Sequence, residues 1–465
     1  MKRTVLTSAL LAVFAIPSLA LATDGYFPHG YGMKAKGMGG ASVAMADDSV
    51  GGANNPASMV WAGDRFDIGL DLFSPKRDIS RTGSSASSGG FASIDGSATS
   101  GSNLFFVPEL GYNRMIGWDM SVGVSVYGNG GMNTDFDGGQ IPAGSPVCGT
   151  TPPNQFNAAS QQPGPYNLLC GSGKLGMNLS QLIIAPTFAK KINKDNSLGV
   201  SLLLAAQQFR ASGLSAFYSF TSNPLTGTPY SSGNNLTGRG NDTTYGYGLK
   251  LGWMGKMSDT VTLGASYTSK VKMGKFEKYK DLFAGHGAFD IPESFSMGIA
   301  FKAIPSWTIA ADYERINYAG VDSVGNPSTN VGNSSPAFGN VPGSLGCDGC
   351  RGFGWSNVNV FKLGAEYQYS PNLILRAGYN HTDNPIQARD VTFNMIAPGV
   401  VKDHATLGFT YGLSKDSELT MAYMHAFRNS VEGPSLFNAF GVPASTEKIQ
   451  MYENSLGIAY SMKLK

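Results

Sequence analysis

A two-residue rhythm that returns along the whole chain is what most limits how it can fold. Phe66, Ile68, Leu70 and Leu72 alternate with Asp67, Gly69 and Asp71. In an extended chain, that puts apolar groups on one face and polar or small ones on the other. Met120–Val126, Val261–Tyr267, Phe295–Phe301, Phe361–Tyr369, Leu373–Tyr379, Ala405–Tyr411, Leu419–His425 and Leu456–Leu464 repeat the pattern. Weaker examples run near 103–112, 180–190, 197–209, 243–254 and 306–316, giving about fourteen strands in all. An even number is what a closed bacterial membrane barrel requires.

The links between these segments carry more information than their number. Links near 113–117, 191–196, 255–259, 303–305, 370–371 and 414–417 are short. Those at 73–102, 128–179, 210–242 and 317–356 are long and rich in Gly, Ser, Asn and Pro. Strict alternation of short and long links is the pattern of a barrel with tight periplasmic turns and long outer loops. A water-soluble sandwich has no reason to sort its connections this way. The second face of the strands agrees, being mostly Gly, Ser, Thr and Ala rather than Lys and Glu. Tyr127, Trp253, Tyr267, Trp307, Tyr379, Tyr411 and Tyr460 fall near strand ends, where an aromatic girdle is expected. The expected fold is therefore all-β: a transmembrane antiparallel barrel of about fourteen strands.

Composition narrows the remaining options. The 465 residues are 14% charged, contain 61 glycines and carry a net charge of +2. Ordinary soluble chains have about 25% charged residues and about 7% glycine. A charge balance this close to zero offers no footprint for nucleic acid, and no apolar run after the N-terminus reaches the ~18 residues of a membrane-spanning helix. The first 22 residues read as a signal peptide. Lys2 and Arg3 precede the apolar run Val5–Ile16, Pro17 breaks it, and Ala20-Leu21-Ala22 offers the small residues a signal peptidase reads. Cleavage after Ala22 exports the chain, so its four cysteines are read in an oxidising compartment. Cys148 with Cys170 and Cys347 with Cys350 are expected as two local disulfides; the alternative, a four-cysteine zinc site, needs two separate loops to converge.

Residues 23–64 do not alternate, and about forty mature residues ahead of a narrow barrel read as a luminal plug. Gly37-Met38-Gly39-Gly40-Ala41, Ala46-Asp47-Asp48 and Asn55-Pro56-Ala57 stand here in order. Downstream come Ile291-Pro292-Glu293, Leu375-Arg376-Ala377-Gly378-Tyr379 and Tyr423-Met424-His425. With these motifs the whole mature chain resembles the FadL/TodX family of long-chain fatty acid and hydrocarbon transporters of the Gram-negative outer membrane. The resemblance implies an N-terminal hatch over 23–64, including Tyr26 and Phe27 with Asn55, Pro56 and Ala57 as its fixed turn, and a barrel over 65–465. It also implies a kink in strand three near Gly128, Gly130 and Gly131, beside which substrate leaves sideways. By the same resemblance the capture groove is built from the third and fourth outer loops. These offer Leu214, Phe217, Tyr218 and Phe220, then Phe276, Tyr279, Leu282 and Phe283, the latter four spaced for one face of a short helix. Packing of loop on loop is the competing explanation for those apolar side chains. Arg210 lies where the family puts a basic partner for a carboxylate, although strict alternation from Leu198 turns it toward lipid unless a bulge intervenes. No second luminal basic residue matches as well, which leaves room for uncharged substrates.

Other motifs carry little. Gly30, Gly32 and Ala35 fit a loose dinucleotide fingerprint, but no strand precedes them. The five histidines show no metal-ligand spacing, no G-x-S-x-G elbow is present, and neither metal nor cofactor is expected. The function that follows is passive uptake of hydrophobic compounds, long-chain fatty acids first. Uptake of aromatic or aliphatic hydrocarbons is the alternative, and a general porin or an outer-membrane hydrolase ranks lower. The chain is expected as a monomer in the outer membrane, with a hydrophobic small molecule, the surrounding lipid and lipopolysaccharide, and the barrel assembly machinery as its partners.

Overall fold

In a computed structural model, the structure describes residues 23–87, 93–149, 164–221, 235–330, 345–440 and 444–465. The proposed signal peptide lies outside the described residues. Fourteen long strands are joined antiparallel in chain order: β1 (Arg65–Thr82), β2 (Phe105–Ile116), β3 (Met120–Asn133), β4 (Gly176–Lys191), β5 (Asn196–Ser212), β6 (Asp242–Lys256) and β7 (Val261–Thr268). They continue with β8 (Ser294–Ile304), β9 (Trp307–Ile316), β10 (Val358–Ser370), β11 (Leu373–Thr382), β12 (Asp403–Gly412), β13 (Ser417–Pro434) and β14 (Thr446–Lys463). β14 pairs back onto β1 from Arg65↔Lys463 to Thr82↔Thr446, and the sheet closes into a barrel. Two short strands, Gly96–Thr99 and Lys272–Met273, add to β1 and β6.

Alternation explains the closure. In β5, Leu198, Val200, Leu202 and Leu204 are exposed on the outer face while Ser197, Gly199, Ser201 and Leu203 are buried inside. An apolar outer band satisfies lipid, and a closed ladder leaves no edge for the bilayer to strand. Trp118, Trp307, Tyr411 and Tyr460 ring one end; Tyr245, Tyr247, Tyr267 and Tyr379 stand nearer the other. One member of the expected girdle differs. Tyr127 turns inward and is 4% exposed, with its ring 4.4 Å from that of Tyr31. Trp253 is half-buried, its indole N–H donating to Asn196 Oδ1.

The outer strands run farther than the apolar rhythm does. On β1 the outward residues after Leu72 are Ser74, Lys76, Asp78 and Ser80, and β14 mirrors this with Asn454, Tyr452, Gln450 and Lys448. Here the wall rises past the lipid band into water, so the outer face no longer needs to be apolar. The inner face of the same stretch carries Arg77, Arg81, Glu447 and Glu453, all buried.

Residues 23–64 are almost wholly buried and lie against the inner wall. Carboxylates of the wall hold their backbone: Asp312 accepts from the Ser42 and Val43 amides at 2.6 and 2.9 Å, and Glu109 from Gly32 and Met33 at 3.2 and 3.1 Å. Lys36 pairs with Asp71 at 2.5 Å and Lys34 with Glu418 at 2.6 Å. Glycines of the wall make room for this contact. A Cβ at Gly199 or Gly252 would run into Pro56 or Asn55, and one at Gly378 into Met38 and Gly39.

Candidate functional site

The third and fourth outer loops fold over the outer end of β5. Phe209 points into the lumen, and its ring centre lies 5.4, 4.8 and 4.7 Å from those of Phe276, Tyr279 and Phe283. Beside this cluster lies an apolar pocket. Its walls are Phe209, Leu214, Phe217, Leu282, Phe283, Leu345, Phe353, Phe393 and Ile396, with Arg351 and Ser323 as polar members. Nothing but the size of an apolar surface recommends such a space to a ligand, and an apolar pocket with few polar groups is the usual form of a hydrophobic binding site.

Beneath it sits the tip of the N-terminal segment. Asp24 and Phe27 form an isolated bridge, and the Tyr318 hydroxyl donates to the Asp24 carbonyl at 2.5 Å. The Tyr26 ring packs among Phe27, Tyr318, Trp355 and Phe289 at centroid distances of 5.3, 5.1, 5.8 and 6.3 Å. Burial pushes the Asp24 carboxyl up to about 7, against the pull of Lys362. Farther down, Asn55 donates to the Val43 and Trp253 carbonyls at 2.8 and 2.9 Å while its Oδ1 accepts from the Ala57 amide at 3.0 Å. Pro56 then opens a short 3₁₀ turn that rests on β5 and β6.

The third element is a break in the wall. β2 and β3 pair from Ile116↔Met120 up to Glu109↔Tyr127 and no further, although β2 continues to Phe105 against β1. Above Tyr127, β3 stays with β4 alone, and its register slips between Gly128 and Gly130. The slip turns Gly130 to φ +147°, and a Cβ there would collide with the Tyr26 carbonyl oxygen. That same oxygen accepts from the Gly131 amide at 3.2 Å. A bulge next to glycine thus bends the strand inward onto the N-terminal tip. Against the bend lies a second, small pocket, lined by Phe27, Tyr31, Tyr127, Asn129, Ile183 and Ile291 with Lys250 and Glu314.

The family model described as outer membrane protein transport protein (OMPP1/FadL/TodX) matches residues 171–434, more than half of the sequence. The chain belongs to this family. Its members are transport proteins of the bacterial outer membrane, and the barrel described above is an outer-membrane barrel. No curated protein sequence matches it significantly. Among solved structures, the Pseudomonas putida toluene transporter TodX superposes with a TM-score of 0.63 at 20% identity, over 94% of this chain and 99% of TodX. The Ralstonia pickettii toluene transporter TbuX gives 0.59 at 16% identity, over 94% and 99%. A Pseudomonas aeruginosa FadL homologue gives 0.62 at 14%, over 95% and 100%.

In this FadL/TodX-family barrel several site residues stand where sequence reasoning put them and others do not. Leu214, Phe217, Leu282 and Phe283 line the outer cavity together. Phe276 and Tyr279 lie behind it, packed on Phe209, and the run is a 3₁₀ turn at Glu277–Tyr279 rather than a helix face. The side chain of Phe220 lies outside the described residues, and Tyr218 is half-buried beside the core. Arg210 is a correction. β5 keeps its register through this point, so Arg210 faces outward and is exposed, above the lipid band and away from any luminal ligand. Lys250, Lys362, Arg376 and Arg77 are all buried on the inner wall. Cys148–Cys170 and Cys347–Cys350 are both disulfides, with Cα atoms 5.0 and 5.2 Å apart. Sequence reasoning missed Tyr318, Phe353, Trp355 and Phe393. Their signal was present as aromatic residues inside loops otherwise made of Gly, Ser and Asn.

Proposed function

We propose that this barrel takes up hydrophobic small molecules passively, by capture in the outer cavity, transfer past the N-terminal tip and sideways release between β2 and β3. The observation that carries this reading is the broken ladder above Tyr127, together with the aromatic cavity above it. In it, residues 23–64 act as a hatch: held by Asp312, Glu109, Asp71 and Glu418, they leave a polar solute no straight path. The mature chain starts at Thr23 after removal of a signal peptide, and it works as a monomer. Residues Tyr26 and Phe27 with Gly128, Gly130 and Gly131 form the gate. No ATP is required, since partition into lipid and consumption inside the cell supply the direction.

Long-chain fatty acids are the first substrate class. Aromatic and aliphatic hydrocarbons are the second, favoured by the outward turn of Arg210 and by the names of TodX and TbuX as toluene transporters. A strain lacking the protein, complemented with wild type or Gly130→Val, tests the reading by uptake of oleate and of toluene. Wild type restores entry of at least one, and the variant does not. Restoration of glucose or ion permeation instead would identify a porin.

A further inference from the structure

On the lipid side of the wall, one stretch is recessed. A groove of about 410 Å³ lies across the outer face of β13, β14, β1, β2 and β3, within the roughly 300–1,000 Å³ of ordinary ligand sites. Its lower row is Leu419, Tyr460, Ile68, Leu110 and Val126, each opposite the next across a strand pair. Its upper row is Ile458, Leu70 and Pro108. Outward residues elsewhere on the wall, such as Leu202, Leu249 and Leu363, are 44%, 50% and 53% exposed, whereas Leu70, Pro108 and Leu110 are half-buried and Val126 is 7% exposed. The recess is a trough: five strands about 4.8 Å apart give about 19 Å across, against about 7 Å between the two rows.

Its place indicates what it holds. Pro108 is the first residue of β2 beyond the last β2–β3 pair, Glu109↔Tyr127, so the trough begins at the break in the wall. In depth it lies between Ile68 and Leu70, midway along the outward apolar run Phe66–Leu72 of β1. That is the middle of the lipid band, which phospholipid chains held by head groups at either surface reach only with their ends. Glu109 is the one charged residue of the lining, and its carboxylate is turned inward to the Gly32 and Met33 amides. An ionised head group has no partner here and does not rest at this depth. A long chain without a charge suits both the length and the depth of the trough.

We propose that this trough receives long, unbranched and uncharged aliphatic molecules, of the alkane class, as they leave between β2 and β3. The proposal rests on the reading of sideways release. Its first test uses the purified full-length protein in lipid nanodiscs, photolabelled with a diazirine-bearing hexadecane or with a phosphatidylethanolamine carrying the diazirine at a chain end, and the labelled residues mapped by mass spectrometry. The alkane marks Ile68, Leu70, Leu110 and Ile458 severalfold above Leu202, Leu249 and Leu363, while the phospholipid marks the two sets alike. An alkane without that preference overturns the trough, and a phospholipid that shares it assigns the trough to bilayer lipid instead. The second test is uptake by a strain lacking the protein and complemented with variants. Leu70→Trp and Ile458→Trp, which fill the trough from the lipid side, slow hexadecane entry severalfold and leave toluene entry unchanged; Ile299→Trp on β8 changes neither, and heat-modifiable migration on gels confirms that all three barrels fold. Equal slowing of oleate overturns the restriction to uncharged chains. If Gly130→Val stops hexadecane entry and neither trough tryptophan slows it, the trough is overturned and sideways release stands. If Gly130→Val leaves entry of hexadecane and toluene intact, sideways release is overturned and the trough with it.

Discussion

The two ends of the lumen are built from opposite chemistry. Toward the periplasm, the N-terminal segment is held by charges and amides: Asp312 on Ser42 and Val43, Glu109 on Gly32 and Met33, Lys36 on Asp71. Toward the outside, the contacts are rings and aliphatic chains around open space, Phe209, Phe217, Phe283, Phe353 and Phe393 among them. Hydrogen bonds to charged groups are directional and leave few alternative arrangements. Apolar contact is not directional and accepts many shapes. The lower half is therefore suited to stay in place while the upper half remoulds around what enters.

Four variants test that contrast, in falling order of effect. Asp312→Ala together with Glu109→Ala orphans four buried amides, each costing about 1–3 kcal/mol. The lower segment should loosen, and single-channel conductance in planar bilayers should rise well above that of wild type. Unchanged conductance would mean that ions were already blocked elsewhere. Gly130→Val drives a side chain into the Tyr26 carbonyl and forbids the φ of the bend. Uptake of a hydrophobic probe should fall about tenfold, with equilibrium binding to the outer cavity unaltered; loss of both would place the glycine in capture rather than release. Phe283→Ala removes a ring from the cavity wall, whereas Phe276→Ala removes one from behind it. Fluorescent-probe affinity should drop severalfold for the first and less for the second, since only the first takes apolar area from the ligand. The reverse order would mean that Phe276 reaches the ligand and Phe283 only supports it.

How legible all this was in the sequence depends on which solvent each residue meets. Every strand was readable where one face meets lipid and the other packs inside, as in Leu198–Leu204. β1 beyond Leu72 and β14 before Leu456 were not, because there both faces are polar and the rhythm disappears although the ladder continues. That is also why Arg77, Arg81, Glu447 and Glu453 escaped notice: they are strand residues in what reads as loop. The Gly128–Gly131 bend was visible as a run of glycines, but its partner, the Tyr26 carbonyl, is a backbone atom and leaves no mark in composition. Arg210 misled in the other direction. Its position near the outer end of β5 was right, and strict alternation, which turned it outward, was the stronger guide.

The interrupted β2–β3 ladder has an electrical cost that its neighbours help to limit. Backbone dipoles facing hydrocarbon without a mate are among the least welcome groups a bilayer meets. Along the unmated stretch of β2 stands Pro108, which has no N–H to strand. On the opposite side, β3 has swung inward, where the Tyr26 carbonyl takes up the Gly131 amide. On the proposed exit route, a molecule passing here meets at Pro108 a stretch of wall with one hydrogen-bond donor fewer to hold it.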